Sequence, residues 1–324
     1  QCQRTFVEQL SFVDEYRRQS KAFERHVYQM CLSSTRKAVA VREELSQSTV
    51  REIFNRWASL KDRSWAADTI RVLGIDEISL KKRHKHFVLV ISDIERRCIL
   101  TILTNRNKET LEHWIDTLSE EQSRSIRFVS IDMWAPYRQA VRNKLPWATV
   151  VVDRFHVMKQ LNTRLTQLRT KYQREADSET RSVLKGSRWL LVRNRCDLSP
   201  SEQVHLKKIL ALCPELGTLY LLKEEFRHIF EKIRCKNKAS RFLSAWMQKA
   251  FYSGNKHLAK FVNTLKNWWE EILNYFIERI TNGFVEGLNN ALRTIIRRAF
   301  GYRNFLDFKL RTFAECGPPH ANPR

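Results

Sequence analysis

A chain of 324 residues with 43% apolar and 11% aromatic content can bury one large core or two modest ones, which argues against disorder. Its 58 Lys and Arg against 35 Asp and Glu leave a formal charge of +23, a surplus that favours a polyanionic partner, nucleic acid first. No apolar run approaches the roughly 18 to 20 residues a bilayer span requires, so a cytoplasmic protein without a membrane partner is expected.

Only 8 Gly and 7 Pro interrupt the chain, and its Leu, Glu, Lys and Arg content favours long helices. The 7 cysteines include no CxxC pair, a pattern of reduced thiols and not of a disulfide scaffold.

Residues 1–66 read as a small helical DNA-binding region. Ser20 to Leu32 sets Phe23, Val27, Tyr28 and Cys31 at helical spacing, and Thr35 to Leu45 does the same with Val39, Val41 and Leu45. Ser46 or Ser48 can cap a third helix, with Val50, Ile53, Phe54 and Trp57 inward and Arg51, Asn55 and Arg56 outward. Three short helices ending in a basic one make a helix-turn-helix candidate, although a plain helical bundle has the same periodicity.

From Thr69 the texture becomes β-rich. Ile70 to Ile78, Phe87 to Ile94 and Cys98 to Leu103 read as three strands of an antiparallel meander, with a turn at Glu95-Arg96-Arg97. A helix follows over Lys108 to Glu120, a strand over Ile126 to Met133, a helix over Ala135 to Leu145 and a fifth strand over Ala148 to Val152. An antiparallel set leading into parallel strands with crossover helices is the pattern of a ribonuclease-H-like α/β fold. Residues 154 to 275 are almost entirely helical in pattern, and Arg154 to Asn194 holds 10 basic and 3 acidic residues. The expected organisation is therefore a ribonuclease-H-like core over 67–160 and 276–324, interrupted by an all-helical insertion over 161–275.

Asp76 and Asp132 each stand at the C-terminal side of an apolar strand. A buried unpaired carboxylate is costly, so either a Lys or Arg, or a metal ion, is expected beside each. If the first and fourth strands are neighbours, about 4.8 Å apart, the two acids reach one site, and a divalent cation relieves their repulsion. Mg²⁺ held by one or two carboxylates and substrate phosphates suits phosphodiester chemistry, with two ions flanking the attacking and leaving oxygens. Asp153, ending the next strand, and Glu286, early in a helix capped by Thr281, are equal candidates for a third ligand.

In that last helix Asn282, Glu286, Asn290, Arg293 and Arg297 fall near one face, and from Gly287 onward 7 basic residues face 2 acidic ones, a surface that could steer phosphate. A solvated helix face has the same pattern. Trp189, Trp246, Trp268 and Trp269 either pack in a helical core or stack on unpaired bases.

Four segments carry a resemblance: Gly74-Ile75-Asp76-Glu77, Ser130-Ile131-Asp132-Met133-Trp134-Ala135-Pro136-Tyr137, Val152-Asp153-Arg154-Phe155-His156-Val157 and Asn282-Gly283-Phe284-Val285-Glu286-Gly287-Leu288-Asn289-Asn290. In their order, over residues 1 to 315, the chain resembles an ISL-three family DDE transposase of bacterial insertion sequences. The resemblance implies a ribonuclease-H-like catalytic domain. It also implies Mg²⁺ dependence through two ions, with Mn²⁺ as a substitute, and cutting and joining at inverted-repeat ends. It makes Asp76, Asp132 and Glu286 the catalytic and metal-binding acids.

Asp153 and His156 resemble a supporting acid-x-x-His motif near the cleavage site; packing of His156 against its helix is the alternative. Double-stranded DNA as element ends and target, a homo-oligomer on that DNA, and a bacterial, nucleoid-associated location follow from the same resemblance. Family members usually carry a Cys-rich zinc segment before the helix-turn-helix, of which only Cys2 is expected to remain here. A nuclease that hydrolyses without joining strands, and a catalytically silent DNA-binding protein, are the rival classes.

Overall fold

The computed structural model describes residues 10–63, 69–81, 86–281, 283–299, 301–302 and 304–318. Cys2 and Asn282 lie outside the described residues. In chain order the elements begin with α1 (Lys21–Ser33), α2 (Arg36–Arg42) and α3 (Gln47–Arg63), then strands β1 (Val72–Lys81), β2 (His86–Asp93) and β3 (Cys98–Leu103). Next come α4 (Lys108–Asp116), α5 (Glu120–Ser125), β4 (Phe128–Ile131), α6 (Ala135–Lys144) and β5 (Thr149–Val152). The remaining helices are α7 (Arg154–Glu175), α8 (Ser178–Leu184), α9 (Arg188–Val192), α10 (Pro200–Leu212), α11 (Pro214–Lys232), α12 (Lys236–Tyr252), α13 (Lys256–Asn267), α14 (Trp269–Glu278), α15 (Gly283–Arg298) and α16 (Phe305–Cys316). The protein is a mixed α/β chain dominated by helix. Among the described residues no helix is long and apolar enough to cross a membrane.

Local chemistry explains the boundaries. Ser20 and Thr35 accept hydrogen bonds from the backbone N–H of Phe23 and Ala38 at 3.2 and 3.1 Å, opening α1 and α2. Ser46 accepts from Thr49 N–H at 3.0 Å and starts α3, so Ser46 and not Ser48 is the cap. The single helix expected over Lys108 to Glu120 is two helices. Ser119 and Gln122 exchange side-chain and backbone hydrogen bonds at 3.1 Å and restart the chain as α5. At the β2–β3 turn Asp93 accepts from the N–H of Glu95 and Arg96 at 2.9 and 3.0 Å, and Arg97 takes a left-handed φ of 55°. Burial pushes the Asp93 carboxyl above the ordinary range, against the pull of those two donors.

The chain divides into two compact units. The first comprises Gln1–Thr110, Ser119–Ser125 and Phe284–Arg324. Here β1 pairs antiparallel with β2 and β2 with β3; Asp76 stands opposite Val90. Ile78, Val88, Val90, Ile99 and Ile102 form an apolar face covered by Leu288, Leu292 and Ile295 of α15 and by Phe308 and Phe313 of α16. A second core joins α1, α2 and α3 through Val27, Cys31, Val39, Val50, Ile53 and Phe54, and Leu310 and Ala314 of α16 enter it. Helix α16 therefore inserts opposite faces into two cores. Arg311 reinforces it by donating to the carbonyls of Cys31 and Leu32.

Inside the three-helix core Glu24 has a fully buried side chain. Arg56 pairs with it, Arg17 lies 3.1 Å away, and Trp57 Nε1 donates to it at 3.3 Å. Arg56, expected to face outward, is instead half-buried, because a carboxylate removed from water demands a cation.

The second unit comprises Leu111–Leu118 and Ile126–Gly283. β4 and β5 are parallel, with Phe128 beside Thr149 and Ile131 beside Val152, and α6 makes the crossover. α14 packs on β5, and Asn274 Nδ2 donates to the Val150 carbonyl at 2.9 Å. From α7 to α14 the described residues contain helices and no strand. Their core is aromatic: Phe226 lies 4.8 Å from Trp246 and 5.1 Å from Phe230 between ring centroids, and Phe230 meets Phe276 at 5.1 Å. Trp246 and Trp268 are buried, Trp269 is half-buried, and Trp189 is exposed. The first two are thus core residues and Trp189 is not.

Replacing Arg56 by Ala leaves the Glu24 carboxylate buried without its principal cation, and a loss of about 3 kcal/mol of stability is expected. Urea unfolding followed by circular dichroism checks this, with Arg51→Ala, on the exposed side of the same helix, expected to cost under about 1 kcal/mol.

Candidate active site

In β1 alternate residues point to opposite faces, so Asp76 shares the face of Ile78, under α15, and Glu77 takes the other. Glu77 there meets Arg106 Nη1 at 3.1 Å, and the Arg106 guanidinium lies 4.5 Å from the Phe87 ring centroid. The two neighbouring acids are thus separated by strand geometry. Two residues before Asp76, Gly74 lets β2 approach: a Cβ there would meet Ser92 Oγ at 2.7 Å.

Both Asp76 oxygens are held. The Glu77 backbone N–H donates to Oδ1 at 2.7 Å, and Asn289 Nδ2 donates to Oδ2 at 2.6 Å across 213 positions of sequence. Asn289 is only 4% exposed and sits in the apolar stripe of α15 beside Val285, Leu288 and Leu292. Its Oδ1 is buried and has no hydrogen-bond partner.

The face toward solvent carries Glu286 in the first turn, then Asn290, Arg293 and Arg297, all exposed. Asn290 Oδ1 accepts from Arg293 Nη1 at 2.8 Å. Glu286 stands where the positive end of the helix dipole favours an anion. Asn289, three residues on, fixes that helix to the Asp76 carboxylate. The sequence reading omitted Asn289, whose signal was a polar residue inside an apolar stripe.

In the second unit Asp132 follows β4 by one residue and is half-buried; Asp153 follows β5 by one residue and is 3% exposed. Since Ile131 and Val152 are register partners, the two acids occupy equivalent positions at the ends of adjacent parallel strands. Asp153 is also the residue from which α7 starts, and its carbonyl accepts from His156 N–H at 3.0 Å. The His156 ring stands edge-on to Phe155, with centroids 5.6 Å apart.

Among the helix-turn-helix candidates, Arg51 is exposed and meets Asp307 at 3.1 Å, Asn55 is half-buried, and Arg56 serves Glu24 and Asp14. Arg51 is thus the most accessible of the three.

The donor set, made of carboxylates, suits a hard, oxygen-seeking cation. Among the described residues no three His, Cys, Asp or Glu side chains form a ready-made metal cage. That is compatible with Mg²⁺, which commonly takes one or two carboxylates and completes its shell with water and substrate phosphate.

One unit thus holds two strand-end acids, and the other a strand acid tied to an acid-bearing helix. Comparison with known proteins identifies the family. Residues 73–312 match a family model described as transposase, and residues 8–58 match the helix-turn-helix domain of transposase family ISL3. The chain is 30% identical over 309 residues to the transposase for insertion sequence element IS1001 of Bordetella parapertussis, covering 94% of this chain and 75% of that protein. It is 26% identical over 309 residues to the transposase for insertion sequence element IS1557 of Mycobacterium tuberculosis, covering 87% of this chain and 68% of that one. The chain belongs to the ISL3 family of transposases. It is a DNA-processing protein with an N-terminal helix-turn-helix, and membership of such a family generally entails use of a divalent metal ion.

Removal of the Asn289 amide frees α15 from β1. Asn289→Ala is expected to cost about 1 to 2 kcal/mol in urea unfolding. Asn289→Asp, which sets a second carboxylate against Asp76, should be destabilised further without divalent cation and show a larger rise in Tm on adding Mg²⁺ than the parent protein.

Proposed function

We propose that this chain binds the inverted-repeat ends of an insertion sequence and carries out Mg²⁺-dependent DNA cleavage and strand transfer through Asp76, Asp132 and Glu286. The observation that carries the reading is the bond from Asn289 to Asp76, which ties the acid of β1 to the helix that bears Glu286. Asp132, at the end of a parallel strand in the second unit, is the third member of the proposed set. In this reading residues 67–160 and 276–324 constitute a ribonuclease-H-like core, 161–275 an inserted helical domain and 1–66 the DNA-binding region.

The three carboxylates would hold Mg²⁺, with Mn²⁺ as a substitute. Two such ions, when bound, sharpen the attacking oxygen and stabilise the leaving one in an in-line displacement. The protein's own part is positional. Asn289 keeps the Asp76 carboxylate in one orientation. Asp153 and His156 support the DNA near the cleaved bond. Asn290, Arg293 and Arg297 meet phosphate oxygens along the exposed face of α15, and Asn282 is assigned to DNA binding with them. Double-stranded DNA, both element end and target, is the partner, and a homo-oligomer assembles on it.

Asp76→Asn, Asp132→Asn and Glu286→Gln are each expected to lower cleavage of a labelled element end by about a thousandfold or more, while end binding in a gel shift changes by less than about threefold. Joined products from the parent protein with Mg²⁺ support a transposase. Hydrolysis without joining supports a nuclease, and an unchanged Asp132→Asn variant removes the catalytic assignment.

A further inference from the structure

Helix α7 carries a groove that the proposed chemistry does not use. It has a volume of about 700 Å³ and runs along one face of the helix from Phe155 and Lys159 through Asn162 to Lys171 and Arg174, with Arg188 on its other wall. The lining positions Phe155, Lys159, Thr163, Gln167, Lys171 and Arg174 recur at steps of three and four, so they form a continuous track on a helix of 22 residues, about 33 Å long. The floor is carbon-rich, from Phe155, Met158, Val192 and threonine methyls. Phe155, 45% exposed, lines the groove, and the Trp189 ring, 62% exposed, lies 5.0 Å from the guanidinium of the lining residue Arg188.

The track carries four exposed cations, Lys159, Lys171, Arg174 and Arg188, against one carboxylate, Glu175. Elsewhere in the same unit cations have carboxylate partners: Arg142 meets Glu271 at 2.7 Å, Lys236 meets Glu270 at 3.3 Å and Lys249 meets Glu225 at 3.1 Å. Lys159, Lys171, Arg174 and Arg188 are exposed and form no such ion pair among the described residues. Beside them Arg169 points its guanidinium at neutral groups, Gln173 and the Leu184 carbonyl. Burial, and then the nearby charge of Arg188, push Arg169 below the ordinary arginine range, as expected of neighbouring cations. A cationic rim over an apolar floor with flanking aromatic rings is suited to unpaired nucleotides, whose phosphates follow the charges and whose bases stack. A patch built for duplex phosphate alone would need neither the floor nor the rings.

We propose that the α7 groove is a binding track for single-stranded DNA, leading away from the Asp153–His156 motif at the start of the helix. The assignment rests on the reading of the chain as a transposase that opens DNA at its substrate ends. Lys159, Lys171 and Arg174 neutralise phosphates along the strand, and Trp189 stacks on an unpaired base.

The test is fluorescence anisotropy of the full chain with a labelled 16-nucleotide single strand of mixed sequence, and with its duplex, over a series of KCl concentrations. The triple variant Lys159→Ala, Lys171→Ala, Arg174→Ala should bind the single strand about tenfold or more weakly and reduce the slope of log K against log salt by about 2, at roughly 0.7 per lost phosphate contact. Its duplex affinity should fall by less than about threefold, since the helix-turn-helix is intact. Trp189→Ala should weaken single-strand binding about fivefold or more with the slope unchanged.

Lys207→Ala, Lys208→Ala, which removes two exposed cations of α10 outside the groove, should change neither affinity. All substituted residues are exposed, and unchanged Tm verifies folding. Retention of single-strand affinity and slope by the triple variant overturns the proposal, as does an equal loss for duplex or an equal loss in the α10 variant. Retained cleavage by Asp132→Asn would instead overturn the catalytic reading and leave these binding measurements as they stand.

Discussion

A buried asparagine on an apolar helix face is costly unless its amide is satisfied, and Asn289 meets that demand by donating to the Asp76 carboxylate. The constraint runs both ways. The carboxylate is fixed in orientation by the amide and by the Glu77 N–H, and α15 is fixed in rotation, because a turn by one residue would carry Asn289 out of reach and expose Val285 and Leu288. Glu286, one turn before Asn289, inherits that rotation. The apolar contacts of Leu288, Leu292 and Ile295 with β1, β2 and β3 supply the packing energy, and the Asn289–Asp76 contact selects one register among those the apolar stripe would tolerate.

Helix α16 has a related role at a larger scale. Phe308 and Phe313 pack on the sheet side, Leu310 and Ala314 in the core of α1 to α3, and Arg311 donates to two α1 carbonyls. The C-terminal helix thereby joins the helix-turn-helix to the strands that hold Asp76. Asp307 of the same helix meets both Arg36 and Arg51, so part of the positive charge of the N-terminal helices is neutralised internally. DNA approaching Arg51 would compete with that carboxylate, and the strength of the contact would depend on salt.

Much of the fold was legible in the sequence because the signals are local. Period-two and period-3.6 apolar patterns located β1 to β5, α1, α2, α6 and α15 to within a few residues and gave 154–275 its helical character without the bounds of its helices, and Ser46 or Ser48 announced the start of α3. The break between α4 and α5 was missed because its cause is a two-residue exchange between Ser119 and Gln122, which apolar spacing does not register. In the candidate site the strand-end placement of Asp132 and Asp153 was readable from the apolar runs before them. The inward turn of Arg56 was not, since α3 alone has no means of showing that Glu24 of another helix lies buried beneath it.

By itself the sequence determined the mixed α/β character, the basic balance, the helix-turn-helix and the positions of the acids along the chain, all properties of segments a few residues to a few tens of residues long. Tertiary structure decided which of Asp76 and Glu77 faces α15, that Asn289 and not Asn290 touches the acid, that Trp246 is core while Trp189 is exposed, and that the exposed cations of α7 have no ion-pair partner among the described residues. These depend on which surfaces meet. Contacts across 213 positions are set by the packing of whole faces, and local periodicity gives each face without naming its partner.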